Sequence, residues 1–359
     1  MHSTTRRILG ITIAAAVASG FLLSAPQAIA APTSTDKAAI GLFGQQDATY
    51  DGVYRQSLSL IALDTAGAKV PAASVKWLLR QQCDNGRFPS FTNLVGKCGV
   101  GDGDATSAAT IALKAVGERA AARDAINWLI GQQTSSGGWE YNAGFGPNSN
   151  TTGLVIQAMI AMGIKPATVK TQATGPQFLR SLQLGCSTDV AAERGALDYV
   201  KNTPLAPNDY ATAQATQALA GATLPVEPAT TDSALPALTC PKVDVQPSAA
   251  AAAAGYLGRT IDANAGSIPS GFSPGPDLNS TANAVLSMVA AGYGSDQITS
   301  AMATLETNAV DFTRDDVDAV VPAAAAALVL AAHATSGDPR SIGTTNPVRD
   351  ILDSRTLAG

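Results

Sequence analysis

Two kinds of segment alternate along the chain. One kind opens on a polar residue and runs into an alanine-rich stretch: Asp104 to Leu113, Asn150 to Met159, Asp209 to Leu219, Asn279 to Met288, and Asp318 through Pro322 to Leu330, with Tyr54 to Leu63 as the first member. These stretches carry small or apolar residues on every side, which marks a buried helix rather than a surface one. Asp, Asn, Ser and Thr at their starts accept the free N–H groups of a first helical turn, so Asp104, Asp209 and Asp318 read as caps. Gly67, Gly117, Gly163, Gly221 and Gly292 read as helix terminators. The spacing predicts inner helices near 54–66, 104–117, 150–163, 209–221, 279–292 and 318–335.

The other kind of segment is a repeat. Trp77-Leu-Leu-Arg-Gln-Gln-Cys-Asp-Asn-Gly-Arg-Phe88 and Trp128-Leu-Ile-Gly-Gln-Gln-Thr-Ser-Ser-Gly-Gly-Trp139 share an aromatic residue, a Gln pair, a Gly and a second aromatic residue. Leu42-Phe-Gly-Gln-Gln46, Phe178-Leu-Arg-Ser-Leu-Gln183 and Tyr256-Leu-Gly-Arg259 are weaker copies. They predict outer helices near 36–46, 70–82, 121–133, 170–184, 248–261 and 295–307. Strand signals are nearly absent, and the Pro- and Thr-rich stretch 222–248 reads as a surface excursion with room for a short hairpin. Six helical hairpins in one all-α domain over residues 31–359 are therefore expected.

The first thirty residues follow a different logic. Arg6 and Arg7 precede an apolar run from Ile8 to Leu23, and Ala28-Ile29-Ala30 is a small-x-small cleavage site. That pattern is a secretory signal at residues 1–30, and it predicts a secreted, extracellular chain with no membrane span after cleavage. Export gives the cysteines a meaning. Cys83, Cys98, Cys186 and Cys240 make an even count, so two disulfides are expected. Three pairings are possible; Cys83 and Cys98 flank one loop and are the favoured pair, which leaves Cys186 with Cys240. The chain lacks a Cys-x-x-Cys, and only one histidine, His333, lies beyond the signal, so a zinc site is not expected. The net charge of −5 argues against a nucleic-acid partner.

The repeats resemble those of the α/α-toroid superfamily, in particular the aromatic-glutamine repeats of squalene and terpene cyclases and of protein prenyltransferase β subunits. The segments Asp102 to Leu113 and Asn150 to Met159 are also similar to the helical domain of intrinsic factor and transcobalamin. The resemblance implies an (α/α)6 toroid of twelve helices. It also implies chemistry that the residues can be held against. The zinc ligands of prenyltransferases and the Cys-Gly-Glu-Gln thioester of complement-type toroids have no counterpart. Class II terpene cyclases use Asp-x-Asp-Asp, whose central acid protonates an alkene; the matching stretch is Asp102-Gly103-Asp104-Ala105, with Ala105 in place of the last acid. The resemblance to the vitamin carriers implies a corrinoid-like ligand; the residues themselves call for no cofactor and no metal.

Other groups have plainer readings. Trp77 and Trp128 fit core packing, and the acidic run Asp311 to Asp318 with Arg314 fits a charged helix cap rather than an EF-hand. The loops 84–103, 134–149, 185–208 and 263–278 all precede inner helices and emerge at one end of the ring. The leading expectation is a non-catalytic binding or interaction protein that uses this rim, through Trp139, Tyr141, Asn150 and Phe272. Its partner would be a small apolar or polyprenyl-like ligand, or a cell-surface partner. The alternative is a prenyltransferase- or terpene-cyclase-like enzyme on a polyprenyl substrate, and behind it a paired-carboxylate glycosidase. The candidate catalytic residues are Asp102, Asp104, Glu140 and Asp209. A cavity, if present, is expected to be a shallow rim pocket above Ala108, Ala109, Thr212, Ala215, Ala282 and Ala323.

Overall fold

The computed structural model describes residues 39–89, 98–241 and 246–357, with only the backbone of 48–51, so the expected signal lies outside the described residues. Residues 34–359 cluster as one unit. Its α-helices are α1 (Ala48–Thr65), α2 (Ala72–Leu79), α3 (Gly103–Ala115), α4 (Arg119–Gly131), α5 (Ser149–Ala161), α6 (Gly175–Ser181), α7 (Asp209–Leu219), α8 (Ala249–Ala263), α9 (Leu278–Ala291), α10 (Ser295–Thr307), α11 (Ala309–Thr313), α12 (Pro322–Ala334) and α13 (Pro347–Asp353). Among the described residues the β structure is limited to isolated bridges.

Helices α1, α3, α5, α7, α9 and α12 pack each on the next, and α12 returns to α1. That closed inner ring, with α2, α4, α6, α8, α10 and α13 outside it, is an (α/α)6 toroid. The small residues on the inner helices are used for close packing between them. A Cβ added at Gly153 would lie 3.1 Å from the Cα of Ala215 on the neighbouring helix. Ala109, Thr212 and Ala215 are fully buried in these contacts, whereas Ala282 and Ala323 face the centre of the ring.

The hairpins run inner helix first, which differs from the expected order. Of the outer helix expected at 36–46, the described residues 39–46 form turns and a bridge, and the sixth outer helix is α13 at the other end of the chain. The two ends meet. Phe43 pairs with Arg355, Gly41 N–H donates to Thr356 O at 2.9 Å, and Thr356 N–H donates to Leu42 O at 2.8 Å. Buried Arg55 on α1 holds this segment through Phe43 O (3.0 Å) and Gln46 O (2.7 Å). Arg314 grips Asp350 of α13 at 2.9 Å. A short polar C-terminal helix has no repeat signature, so only closure of the ring reveals its place.

The repeat joins one hairpin to the next. In three units the last glutamine donates through Nε2 to its own glycine and to the next outer segment: Gln82 to Gly86 O (3.0 Å) and Ala121 O (2.9 Å), Gln183 to Gly195 O (3.0 Å) and Ala249 O (2.8 Å). Gln133 does the same with Gly137 O at 2.9 Å and Ala173 O at 3.5 Å. The glycine allows the close approach. Gly195 has φ +97°, and a Cβ there would lie 2.2 Å from Ala252 O. The following aromatic or aliphatic residue then donates its N–H to a threonine on the next inner helix: Phe88 to Thr106, Trp139 to Thr152, Leu197 to Thr212, Ile268 to Thr281, at 2.9–3.0 Å. Each rim loop is thereby pinned to the helix it precedes.

The excursion after α7 packs against the outer layer. Pro236 O lies where a Cβ on Gly255 of α8 would have to go, and Asp232 forms a parallel bridge with Tyr293. No hairpin forms among its described residues. Both disulfides form, Cys83–Cys98 and Cys186–Cys240, and no cysteine is free.

Candidate active site in the toroid lumen

The helix caps fall earlier than the alternation of segments predicts. The capping side chains are Asp102, Asn148, Asn208 and Asp277, which accept the N–H of Ala105, Thr151, Ala211 and Ser280. Each threonine above lies four residues after its cap. Asp104 is therefore not a cap but a first-turn residue of α3, two places inside the helix. Asp209 also lies in a first turn, and Asp318 lies before α12 with φ +61°.

This shift decides what faces the ring centre. On α7, α9 and α12 the positions two, six and nine residues past the cap lie on one helix face, because the offsets of four and seven match the α-helical period, and residues of α1, α3 and α5 join them. They line a cavity of about 400 Å³ inside the inner ring. Its first tier is Tyr54, Asp104, Tyr210, Asn279 and Ala323. The second is Leu58, Leu154, Gln214, Asn283 and Ala327, and the third is Gln157, Gln217, Leu286 and Leu330. Leu224, from the excursion, also lines it. From first to third tier is seven residues of helix, roughly 10 Å at about 1.5 Å per residue. The site is thus deeper than the shallow rim pocket that the small side chains suggested.

Asp104 is the acid this cavity isolates. Its Oδ1 is buried with no hydrogen-bond partner. Burial, and then the neighbouring charge of Asp102, push its carboxyl up to about 7, against a hydrogen bond from the Thr151 side chain that pulls the other way. Asp102 sits at the mouth and is occupied in capping α3 through Ala105 N–H at 2.8 Å. The two carboxyls thus play different parts. Asp102 caps, and the Asp104 carboxyl keeps its proton well above the usual carboxylate range. Burial also raises the Tyr54 hydroxyl well above its ordinary range.

A polar chain runs along one wall. Asn150 Nδ2 donates to Gln214 Oε1 at 2.6 Å, and Gln214 Nε2 donates to the Tyr210 hydroxyl at 3.1 Å. Deeper on the same two helices, Gln157 and Gln217 are each 2% exposed, and the Oε1 of each is buried without a partner.

The remaining sequence-nominated residues lie elsewhere. The Glu140 carboxylate receives the N–H groups of Gly144 (2.8 Å) and Gly146 (3.0 Å) and organises its own loop. Asp209 accepts the hydroxyl of Tyr256 from α8, away from the lumen. Trp139 is 1% exposed, donates Nε1–H to Leu129 O at 2.7 Å, and belongs to the core with Trp77. Tyr141 packs on Phe145 with ring centroids 4.8 Å apart, and Phe272 stands fully exposed on its loop. Of the eight nominated residues, Asp102 and Asp104 meet at the lumen, and Asn150 joins it through Gln214. Tyr54, Gln157, Gln214, Gln217 and Asn283 were not nominated. Their signal was present: polar residues at helical spacing within otherwise small-residue helices. Among the described residues no cluster of His, Cys, Asp or Glu is arranged to hold a metal ion, and no helix is long and apolar enough to cross a membrane.

No family model matches the chain, and no curated protein matches it. Solved structures do. A sugar epimerase from a ruminal bacterium is similar at 14% identity and TM-score 0.49, over 79% of this chain and 83% of that one. The type II terpene cyclase MstE from Scytonema is similar at 13% identity and TM-score 0.44, over 74% and 72%. A protein from Actinoplanes is similar at 17% identity and TM-score 0.34, over 73% and 82%. Likeness of this degree assigns no activity, which has to be argued from the lumen itself.

Proposed function

We propose that the chain is an exported α/α-toroid enzyme that protonates an alkene of a small polyprenyl-like substrate in the lumen, with Asp104 as the acid. The observation that carries this is half-buried Asp104, which lines a ligand-sized cavity with its carboxyl pushed up to about 7. A strongly perturbed acid in a cleft marks a functional site. The volume, about 400 Å³, lies in the lower part of the range of small-molecule sites, roughly 300–1,000 Å³. In the reaction, the Asp104 O–H proton adds to one alkene carbon. The π pair becomes the new C–H bond, and the other carbon becomes cationic beside the Asp104 carboxylate. Internal attack by a second alkene, then loss of a proton back to Asp104, closes the cycle. Tyr54 and Tyr210 supply the aromatic faces of the first tier. Ala105 stands where the cyclase motif has a third acid, so Asp102 alone supports the donor. The disulfides suit export into an oxidising compartment.

The test is incubation with polyprenyl alcohols and diphosphates of ten to twenty carbons, with products read by gas chromatography and mass spectrometry. Cyclised product from the wild type, absent with an Asp104→Asn variant whose circular dichroism shows it folded, supports the reading. A second reading, a non-catalytic carrier using the same lumen, is favoured by the amide-rich wall of α5 and α7. Stoichiometric binding of these compounds without turnover would establish the carrier and refute the enzyme.

A further inference from the structure

Below its first tier the lumen is apolar along α1 and α12. Leu58 of α1, Ala327 and Leu330 of α12 and Leu286 of α9 form an apolar wall. Gln157 of α5 and Gln217 of α7 stand opposite at the third tier, on adjacent helices. These two amides differ from the glutamines that end the outer repeats. Gln82, Gln133 and Gln183 each satisfy two carbonyls, whereas Gln157 and Gln217 each bury a polar atom that nothing in the protein meets. A buried polar group without a partner destabilises the fold that holds it. Two adjacent ones at the bottom of a cavity are what a bound polar group would relieve.

We infer that the lumen recognises a hydroxylated isoprenoid of about ten carbons, inserted hydroxyl-first, with its hydroxyl held between Gln157 and Gln217. A hydroxyl both donates and accepts, so it satisfies an amide in either orientation. The depth fixes the size. The roughly 10 Å from the first to the third tier matches an extended ten-carbon chain whose far alkene then lies at the level of Asp104. The apolar wall takes the hydrocarbon body. This inference rests on the proposed function for the placement of the alkene, but the hydroxyl contact stands on the amides alone.

The experiment compares geraniol with 2,6-dimethylocta-2,6-diene, the same skeleton without its hydroxyl. Binding to the full-length protein is measured by calorimetry. The wild type should bind geraniol at least tenfold more tightly, and Gln157→Met and Gln217→Met should each shrink that ratio roughly fivefold or more, since one net hydrogen bond is worth about 1 kcal/mol. Leu330→Ala should weaken both compounds and leave the ratio alone. A ratio unchanged in both glutamine variants, equal binding of the two compounds to the wild type, or binding of neither would overturn the inference. The Asp104→Asn turnover assay is scored separately. Its success with an unchanged ratio would leave the proposed acid chemistry standing and remove only the hydroxyl site.

Discussion

Glutamine serves two regions of this molecule in opposite ways. In the outer layer, Gln82, Gln133 and Gln183 are spent on backbone carbonyls and join one repeat to the next. In the lumen, Gln157 and Gln217 are deeply buried, yet each keeps a polar atom unpaired. Aspartate divides in the same way. Asp102 and Asp277 close the first turns of their helices, while Asp104 leaves Oδ1 buried and unpaired. Residue type alone does not distinguish structure from function here; the surroundings of each polar atom do. Unpaired buried polar atoms occur in the scaffold too, Gln46 Oε1 and Trp77 Nε1 among them; Asp104, Gln157 and Gln217 stand apart because all three line one cavity.

The largest effect expected is on chemistry. Asp104→Asn should lower turnover of a polyprenyl substrate by roughly 10²–10⁴-fold, the usual contribution of a general acid. Product formation by the variant at the wild-type rate would erase the contrast between the two regions. The same substitution has a pH signature. The folded-state carboxyl is raised, so the native protein holds this proton more tightly than the unfolded chain between its ordinary value of 3.8 and about 7. Wild-type stability should therefore fall as pH rises through that window, and Asp104→Asn should remove this decline. Melting curves from pH 4 to 8 for both proteins check it, and parallel curves would contradict the buried neutral acid. Activity should likewise fall above about pH 7 as Asp104 ionises.

Trp139→Ala tests the scaffold side. It deletes a buried indole and its bond to Leu129 O, and should cost about 3–5 kcal/mol in urea unfolding. Retained stability with lost ligand affinity would return this residue to the binding site.

Identical substitutions in the two regions should then differ in sign. Gln133→Leu strands two carbonyls and should destabilise by about 1–3 kcal/mol. Gln217→Leu removes an unpaired buried atom and should be neutral or stabilising by up to about 1 kcal/mol. Loss of stability in both would mean that the lumen amides are structural after all. The smallest effect is expected at a cap: Asp277→Ala should cost about 1 kcal/mol and leave turnover intact.

Much of this was determined by the sequence alone. Alternating alanine-rich and aromatic-glutamine segments specify a double ring, because a helix small or apolar on all sides has to be surrounded. Five terminators, Gly67, Gly117, Gly163, Gly221 and Gly292, all adopt positive φ, a backbone conformation that glycine enters without a steric penalty. Cys83–Cys98 followed from proximity along the chain, because a short loop keeps its ends close. Tertiary structure decided the rest. Helix α13 and its junction with residues 41–44 were hidden, because a closing element is recognised by the gap it fills and not by its own pattern. The aromatic residues nominated for a ligand divided, Trp139 entering the core and Phe272 facing solvent, because a loop's path and not its composition sets which side is covered. Asp104 was nominated from sequence and first read as a cap. A two-residue shift in helix start turned it inward, and only the assembled ring shields its carboxyl enough to raise it. Desolvation is a property of the surroundings, and no single segment of the sequence encodes it.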